Sequence, residues 1–217
     1  MPNYFVVMAD VIASRSREPQ QLMGEFENLV GTANSFFSEG ILSPLTITLG
    51  DEFQGVVSTL LDAVKVVVWL EEARLRGNFG SQLRYVVHYG EITTPLNPQL
   101  AYGMLGPGLA EAREELADKS RKRSRFRIEL PDRRLASQLS KLLEVMFALT
   151  RDWKCEDASL LFDMLQSQNN EAVAVSHGKN RSQVWKRRRN LYVDEYASLK
   201  DVVLELSEEG VIPFLNR

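Results

Sequence analysis

The sequence predicts an α/β (α+β) fold, with a sheet-and-helix unit over residues 1–130 and an all-α unit over residues 131–217. Three observations carry this. Up to Leu130, β-branched and apolar runs alternate with segments of helical period. Beyond Pro131 the strand signal stops and leucines at helical spacing take over. Hydrophobic residues make up 44% of the 217 and charged residues 25%, values that support packed cores throughout.

The first strand covers residues 4–9, and Asp10 ends it. Residues 11–17 form a turn in which backbone N–H groups, Ser14 and Arg15 can face phosphate, while Arg17 reads as solvated. Leu22, Phe26, Leu29, Val30, Ala33, Phe36 and Phe37 then follow helical spacing, and Gly40 suits the end of that helix. This aromatic stripe is core packing, not a cofactor box. Residues 45–58 read as two strands joined at Gly50-Asp51, a favoured turn pair. Thr59 and Asp62 resemble a capping box and open a helix to about residue 76. Its buried side is Val64, Val67, Val68 and Leu75, and the charged Glu71, Glu72 and Arg74 continue it as helix rather than strand.

Residues 83–89 are a strand, closed by Gly90-Glu91-Ile92. Pro107 fits the start of a helix over 109–119. A basic run spans 119–127, and residues 126–130 alternate like an edge strand until Pro131 stops them. The order β-α-β-β-α-β-α-β opens on the ferredoxin-like, split βαβ plan, with helices expected on one face of the sheet. In the second unit, Leu135, Leu139, Leu142, Leu143, Met146 and Leu149 mark one helix, and residues 158–165 a second. Residues 169–177 mark a short third, Gly178-Lys179-Asn180 a turn, 181–189 a fourth and 196–209 a last.

Two constellations carry chemistry. Asp10 and the hairpin carboxylates Asp51 and Glu52 lie at strand ends that pairing can bring together. Two hard oxygen ligands there suit Mg²⁺ held with substrate phosphates. The alternative is ordinary: Gly-Asp is a common turn and Asp a common strand cap. The second constellation is a short helix, a Gly-containing turn and a basic helix, a helix-turn-helix candidate. Arg181, Ser182, Gln183 and Lys186 would meet base edges, and Lys179, Arg187, Arg188 and Arg189 phosphates. Here the alternative is a solvated basic face. His88 reads as a core or edge residue and His177 as solvated, and no triad, zinc spacing or Walker loop is present.

These residues also carry a resemblance. The strand 84–91, Arg-Tyr-Val-Val-His-Tyr-Gly-Glu, with Asp10 and the Gly50-Asp51 hairpin, resembles the palm of class III nucleotidyl cyclases and, more distantly, of diguanylate cyclases. The nearer likeness is to the SatD family. It rests on Asp10-Val11-Ile12-Ala13-Ser14-Arg15, on Thr48-Leu49-Gly50-Asp51-Glu52-Phe53-Gln54-Gly55, on Gly106-Pro107 and on Ala112-Arg113. It implies a cyclase-type palm, a metal pair at Asp10 and Asp51 with the Val11 carbonyl as third ligand, and nucleotide contacts from Ser14, Arg15, Gly50, Glu52 and Arg113. Two positions depart from the cyclase pattern: Ile47 stands where a purine-reading Lys is usual, and Leu109 where an Asn is usual. The pattern from Ala172 through Gly178 to Val184 resembles the helix-turn-helix of sigma-factor region 4.

The expected function is a cytosolic, homodimeric, DNA-binding regulator whose palm senses a nucleotide with Mg²⁺. The alternatives are an active cyclase or nucleotidyltransferase dimerised by its helical tail, and a non-catalytic adaptor. Cys155 is the only cysteine, so no internal disulfide forms, and no apolar run is long enough to span a membrane. A net charge of −3 gives the chain as a whole no nucleic-acid signature, so any DNA interface rests on local basic surface.

Overall fold

The computed structural model describes residues 2–120 and 124–209. Strands β1 (Asn3–Val11), β2 (Ile41–Ile47), β3 (Glu52–Val57), β4 (Leu83–Glu91) and β5 (Phe126–Glu129) form one sheet in the order β2-β3-β1-β4-β5. The first four are antiparallel to their neighbours, and β5 adds parallel to β4. Helices α1 (Pro19–Phe36) and α2 (Leu60–Ala73) connect β1 to β2 and β3 to β4. This is the ferredoxin-like arrangement expected from the element order. Pro44, which cannot donate to a ladder, is tolerated because β2 is an edge strand with irregular register on either side of it.

The sheet is covered on both faces rather than one. Phe5, Val7, Ala9 and Val11 pack with Phe26, Leu29, Val64 and Val67 of α1 and α2. Val6 and Met8 pack with Leu109, Ala112 and Leu116 of α3 (Pro107–Ala117). The continuous burial of residues 5–11 follows from this, since a strand buried on both faces has no polar side to alternate with. Gly90 and Gly108 let α3 start against β4: a Cβ at Gly108 would lie 2.6 Å from the Gly90 carbonyl carbon.

After β5, α4 (Arg133–Ala148) begins behind an Asp132 cap, followed by α5 (Ala158–Gln166), α6 (Asn170–Ser176), α7 (Arg181–Asn190) and α8 (Val193–Glu209). The turn at Pro131 separates β5 from α4, yet the apolar core runs across it. Tyr85 stacks on Phe126 at 5.6 Å, Phe126 on Phe147 at 5.2 Å, and Phe147 meets the Tyr196 ring at 5.9 Å.

Two adjacent carboxylates tie this junction. Glu71 and Glu72, which in the sequence only continue α2 as charged helix residues, are buried, at 0% and 8% exposure. Glu71 accepts from Tyr85 Oη at 3.0 Å and Arg125 Nη2 at 2.8 Å, with Arg74 at 3.3 Å. Glu72 accepts from Tyr196 Oη at 2.9 Å and Lys200 Nζ at 2.6 Å. Burial first, and then these carboxylates, push both phenol pKa values well above the ordinary range, so the hydroxyls stay protonated donors.

Glu71→Ala leaves Arg125 and Arg74 facing each other without their shared counter-ion. It should cost about 3–5 kcal/mol in urea unfolding. A loss below about 1 kcal/mol, the range of an exposed pair, would show that the network contributes little.

Candidate ligand site and helix-turn-helix

The β1–β3–β4 register brings a charged cluster to one end of the sheet. Asp10 stands opposite Glu52 on one side and Arg84 on the other. Arg84 Nη1 donates to both Asp10 oxygens, at 2.9 and 2.8 Å, and Lys119 Nζ lies 3.1 Å from Oδ2. Asp10 is 3% exposed, so this pairing is what permits a carboxylate there. Asp51 lies in the hairpin turn, where Gly50 takes φ 74°, and its carbonyl accepts the Val11 N–H at 2.8 Å.

Glu52 sits among these charges. Burial raises its carboxyl pKa; Asp10 and Asp51 add to the rise, while Arg113 and a Thr48 bond oppose it. Arg113, on the exposed side of α3, donates from Nη2 to Gln54 Oε1 at 2.7 Å. Gln54 is 4% exposed, and its amide also reaches the Ala101 carbonyl. Thus the Gln of the hairpin motif holds the Arg of the α3 motif.

The protein's own cations stand at the carboxylate expected to bind a metal. Both oxygens of Asp10 already face a guanidinium, and one also faces an ammonium. Among the described residues, no three His, Cys, Asp or Glu groups come together as a metal site. The Asp10 carboxylate, expected to hold Mg²⁺ together with Asp51 and the Val11 carbonyl, is paired in this structure with Arg84 and Lys119.

In the turn after β1, Arg15 is exposed and Ser14 partly so. Arg17, expected to be solvated, is the anchored one: it donates to Ser81 Oγ at 3.0 Å and pairs with Glu25 at 2.9 Å. In the basic run, Lys119 faces Asp10, Arg125 faces Glu71, and Arg127 is buried against the Glu115 and Asp118 carbonyls. Arg121, Lys122 and Arg123 lie outside the described residues.

In the helical part, Asn169 caps α6 and Asn180 caps α7, the latter in a reciprocal box with Gln183. Between them Gly178 takes φ 60°. Val173, Ala174, Val184 and Leu191 face inward. Lys179, Arg181, Ser182, Gln183, Lys186 and Arg189 are exposed. Two of the expected phosphate ligands are otherwise engaged. Arg188 is 3% exposed and donates to Asn170, Asp194 and the Ser167 carbonyl, so it is an internal strut. Arg187 pairs with Asp157. His177, expected to be solvated, lies 2.7 Å from Asp163 on α5.

The model of the SatD family matches residues 4–186, most of the chain. The chain belongs to the SatD family. The matched region takes in the whole sheet, α1 to α6 and the first half of α7. No curated protein matches it significantly. Among solved structures, the SatD chain is similar to a bacterial light-regulated adenylyl cyclase, at 13% identity and TM-score 0.44, over 58% of this chain and 42% of that one. It thus spans less than half the length of that protein. It is also similar to the guanylyl cyclase Cya2, at 14% identity and TM-score 0.36 over 52% and 68% of the two chains. A third is the catalytic core of a rhodopsin-guanylyl cyclase, at 15% identity and 0.35 over 52% and 72%.

Arg84, Gln54 and Lys119 are the members of the SatD strand-end cluster that sequence reasoning did not single out. For Arg84 the signal was there: once β1 and β4 are aligned, it falls directly opposite Asp10. Lys119 carries no such signal, because it reaches Asp10 from beyond the end of α3.

The raised Glu52 pKa has a signed consequence. The folded state binds this proton more tightly than the unfolded one, so stability falls as pH rises from the ordinary carboxylate range through the raised value. Glu52→Gln should therefore raise Tm at pH 7, and the gain should vanish below the ordinary range. Thermal melts of both proteins across pH check this; a lower Tm at pH 7 would mean that ionised Glu52 contributes net stability.

Proposed function

We propose that this SatD protein is a DNA-binding regulator whose palm binds the phosphates of a nucleotide and does not turn it over. The observation that carries the first half is the presentation of α7. Its inward face uses only Val184 and the strut Arg188 as buried residues, which leaves Arg181, Ser182, Gln183 and Lys186 outward on its first turns. That is where the second helix of a helix-turn-helix meets base edges. Lys179 and Arg189 flank them as phosphate ligands. Gln183 Oε1 accepts the Asn180 N–H at 3.0 Å, which leaves its amide nitrogen and one oxygen lone pair for a base.

For the palm, Arg113, Lys119 and the exposed Arg15 supply cations at the strand ends, with Ser14 and the Gly50 turn beside them. The side chains present do not favour catalysis: Leu109 is buried in the α3 core at 6% exposure, and Ile47 is half-buried on β2. Neither offers a polar group to a purine or a ribose. A Mg²⁺-assisted form of this binding would require Lys119 and Arg84 to leave Asp10. No helix among the described residues is long and apolar enough to cross a membrane, and we place the protein in the cytoplasm as a homodimer reading paired half-sites.

The test is selection from a random duplex pool followed by anisotropy titration. The two phosphate ligands per protomer, Lys179 and Arg189, predict a log–log salt slope of about −1.8 per protomer. Arg189→Ala should weaken all duplexes alike, whereas Arg181→Ala or Lys186→Ala should cost about 1–3 kcal/mol at the selected site only. Failure to enrich any sequence, with binding indifferent to all three substitutions, would refute the DNA reading.

A further inference from the structure

A cavity of about 330 Å³ opens at the seam between the palm and the helical part, away from the strand-end cluster. Three arginines from three different segments line it: Arg74 just after α2, Arg125 just before β5, and Arg151 in the turn after α4. Phe147 and Trp153 supply an apolar wall. We propose that this cavity binds a small phosphate-bearing anion.

The charge balance favours an anion. Glu71, beneath the cavity, is the shared counter-ion of Arg74 and Arg125. Arg151 is exposed and makes no ion pair among the described residues. Glu144, at the rim, accepts from Ser124 Oγ at 2.6 Å. Among the described residues, three cations against two carboxylates leave an excess of one positive charge around the opening.

Donor geometry points the same way. Arg74 reaches Glu71 through Nε and Nη2 at 3.4 and 3.3 Å, long contacts that leave Nη1 uncommitted among the described residues. Arg125 Cζ lies over the Phe126 ring, 4.2 Å from its centroid, and the guanidinium is fixed by bonds to Glu71 and the Leu83 carbonyl. Its plane is therefore set before any ligand arrives. Planar guanidinium forks match phosphate oxygens in pairs, and a pre-positioned fork loses little entropy on binding. The cavity volume lies within the range of small-molecule sites.

The assignment does not rest on the palm reading, and the experiment separates the two. Calorimetric titration of the full chain with inorganic pyrophosphate, at constant ionic strength, should show saturable binding. Arg151→Ala removes an exposed side chain and leaves the fold intact. It should weaken binding about tenfold, the loss of one charge-assisted pair, and Arg151→Glu should abolish it. Arg113→Ala at the strand ends should change the affinity less than about twofold, as a distant independent site does. Loss of binding in Arg113→Ala with none in Arg151→Ala would assign the anion to the palm and overturn this proposal. So would the absence of saturable binding, or an equal response to malonate, which carries two carboxylates and no phosphate.

Discussion

The fold depends on one constraint: two neighbouring carboxylates on α2 are buried, and each must be answered by donors from another part of the chain. An unpaired buried carboxylate costs several kcal/mol, so Glu71 and Glu72 are tolerable only when their partners are in place. Glu71 looks toward β4 and the approach to β5, and takes Tyr85, Arg125 and Arg74. Glu72 looks toward α8, and takes Tyr196 and Lys200. Successive residues of one helix thus hold the sheet edge on one side and the last helix on the other. The stacked rings of Tyr85, Phe126 and Phe147, with Tyr196 beyond them, fill the space between. Hydrophobic packing supplies most of the free energy there, and the carboxylates fix which donors it brings together.

The same logic of neutralisation governs the strand-end cluster. Asp10 is as buried as a core residue, and Arg84 and Lys119 compensate it. The two cations differ in exposure: the Arg84 side chain is 14% exposed and the Lys119 side chain 64%. Arg84 is therefore the fixed partner, and Lys119 the one that solvent or an incoming phosphate can compete for. An anion drawn to this end of the sheet meets a lysine already positioned by a carboxylate. In the helical part, Arg188 does for α6 and α8 what Glu72 does for α2 and α8, by joining Asn170, Asp194 and the Ser167 carbonyl.

Much of this was legible in the sequence. The strand runs, the Gly50-Asp51 turn, the Thr59 cap, the Gly178 turn and the Pro107 start gave the ferredoxin-like order and the helical tail, because each is a local signal. What escaped was set by distance along the chain. Glu71 and Glu72 served only as charged residues that mark a helix, since their partners Arg125, Tyr196 and Lys200 lie 54, 124 and 128 residues away. Arg188 looked like one cation in a basic stripe, and nothing local separates it from Arg189. The two-sided burial of β1 was written in the unbroken run from Phe5 to Ala9, but only the later placement of α3 showed which side chains cover the second face.

Through these carboxylates the palm and the helical part should unfold as a single cooperative unit, despite the turn at Pro131. Trp153 offers a direct probe, because it is buried at 7% exposure, bonded to the Leu191 carbonyl at 2.8 Å and packed on Tyr196. The measurement is equilibrium urea unfolding of a variant in which Trp69 and Trp185 are replaced by Phe. Trp153 fluorescence then reports the helical part and far-UV circular dichroism the whole chain. Coincident transitions with one midpoint and one slope are expected. A fluorescence transition completed at lower urea, with the sheet still folded, would show that the helical part unfolds on its own and would contradict that expectation.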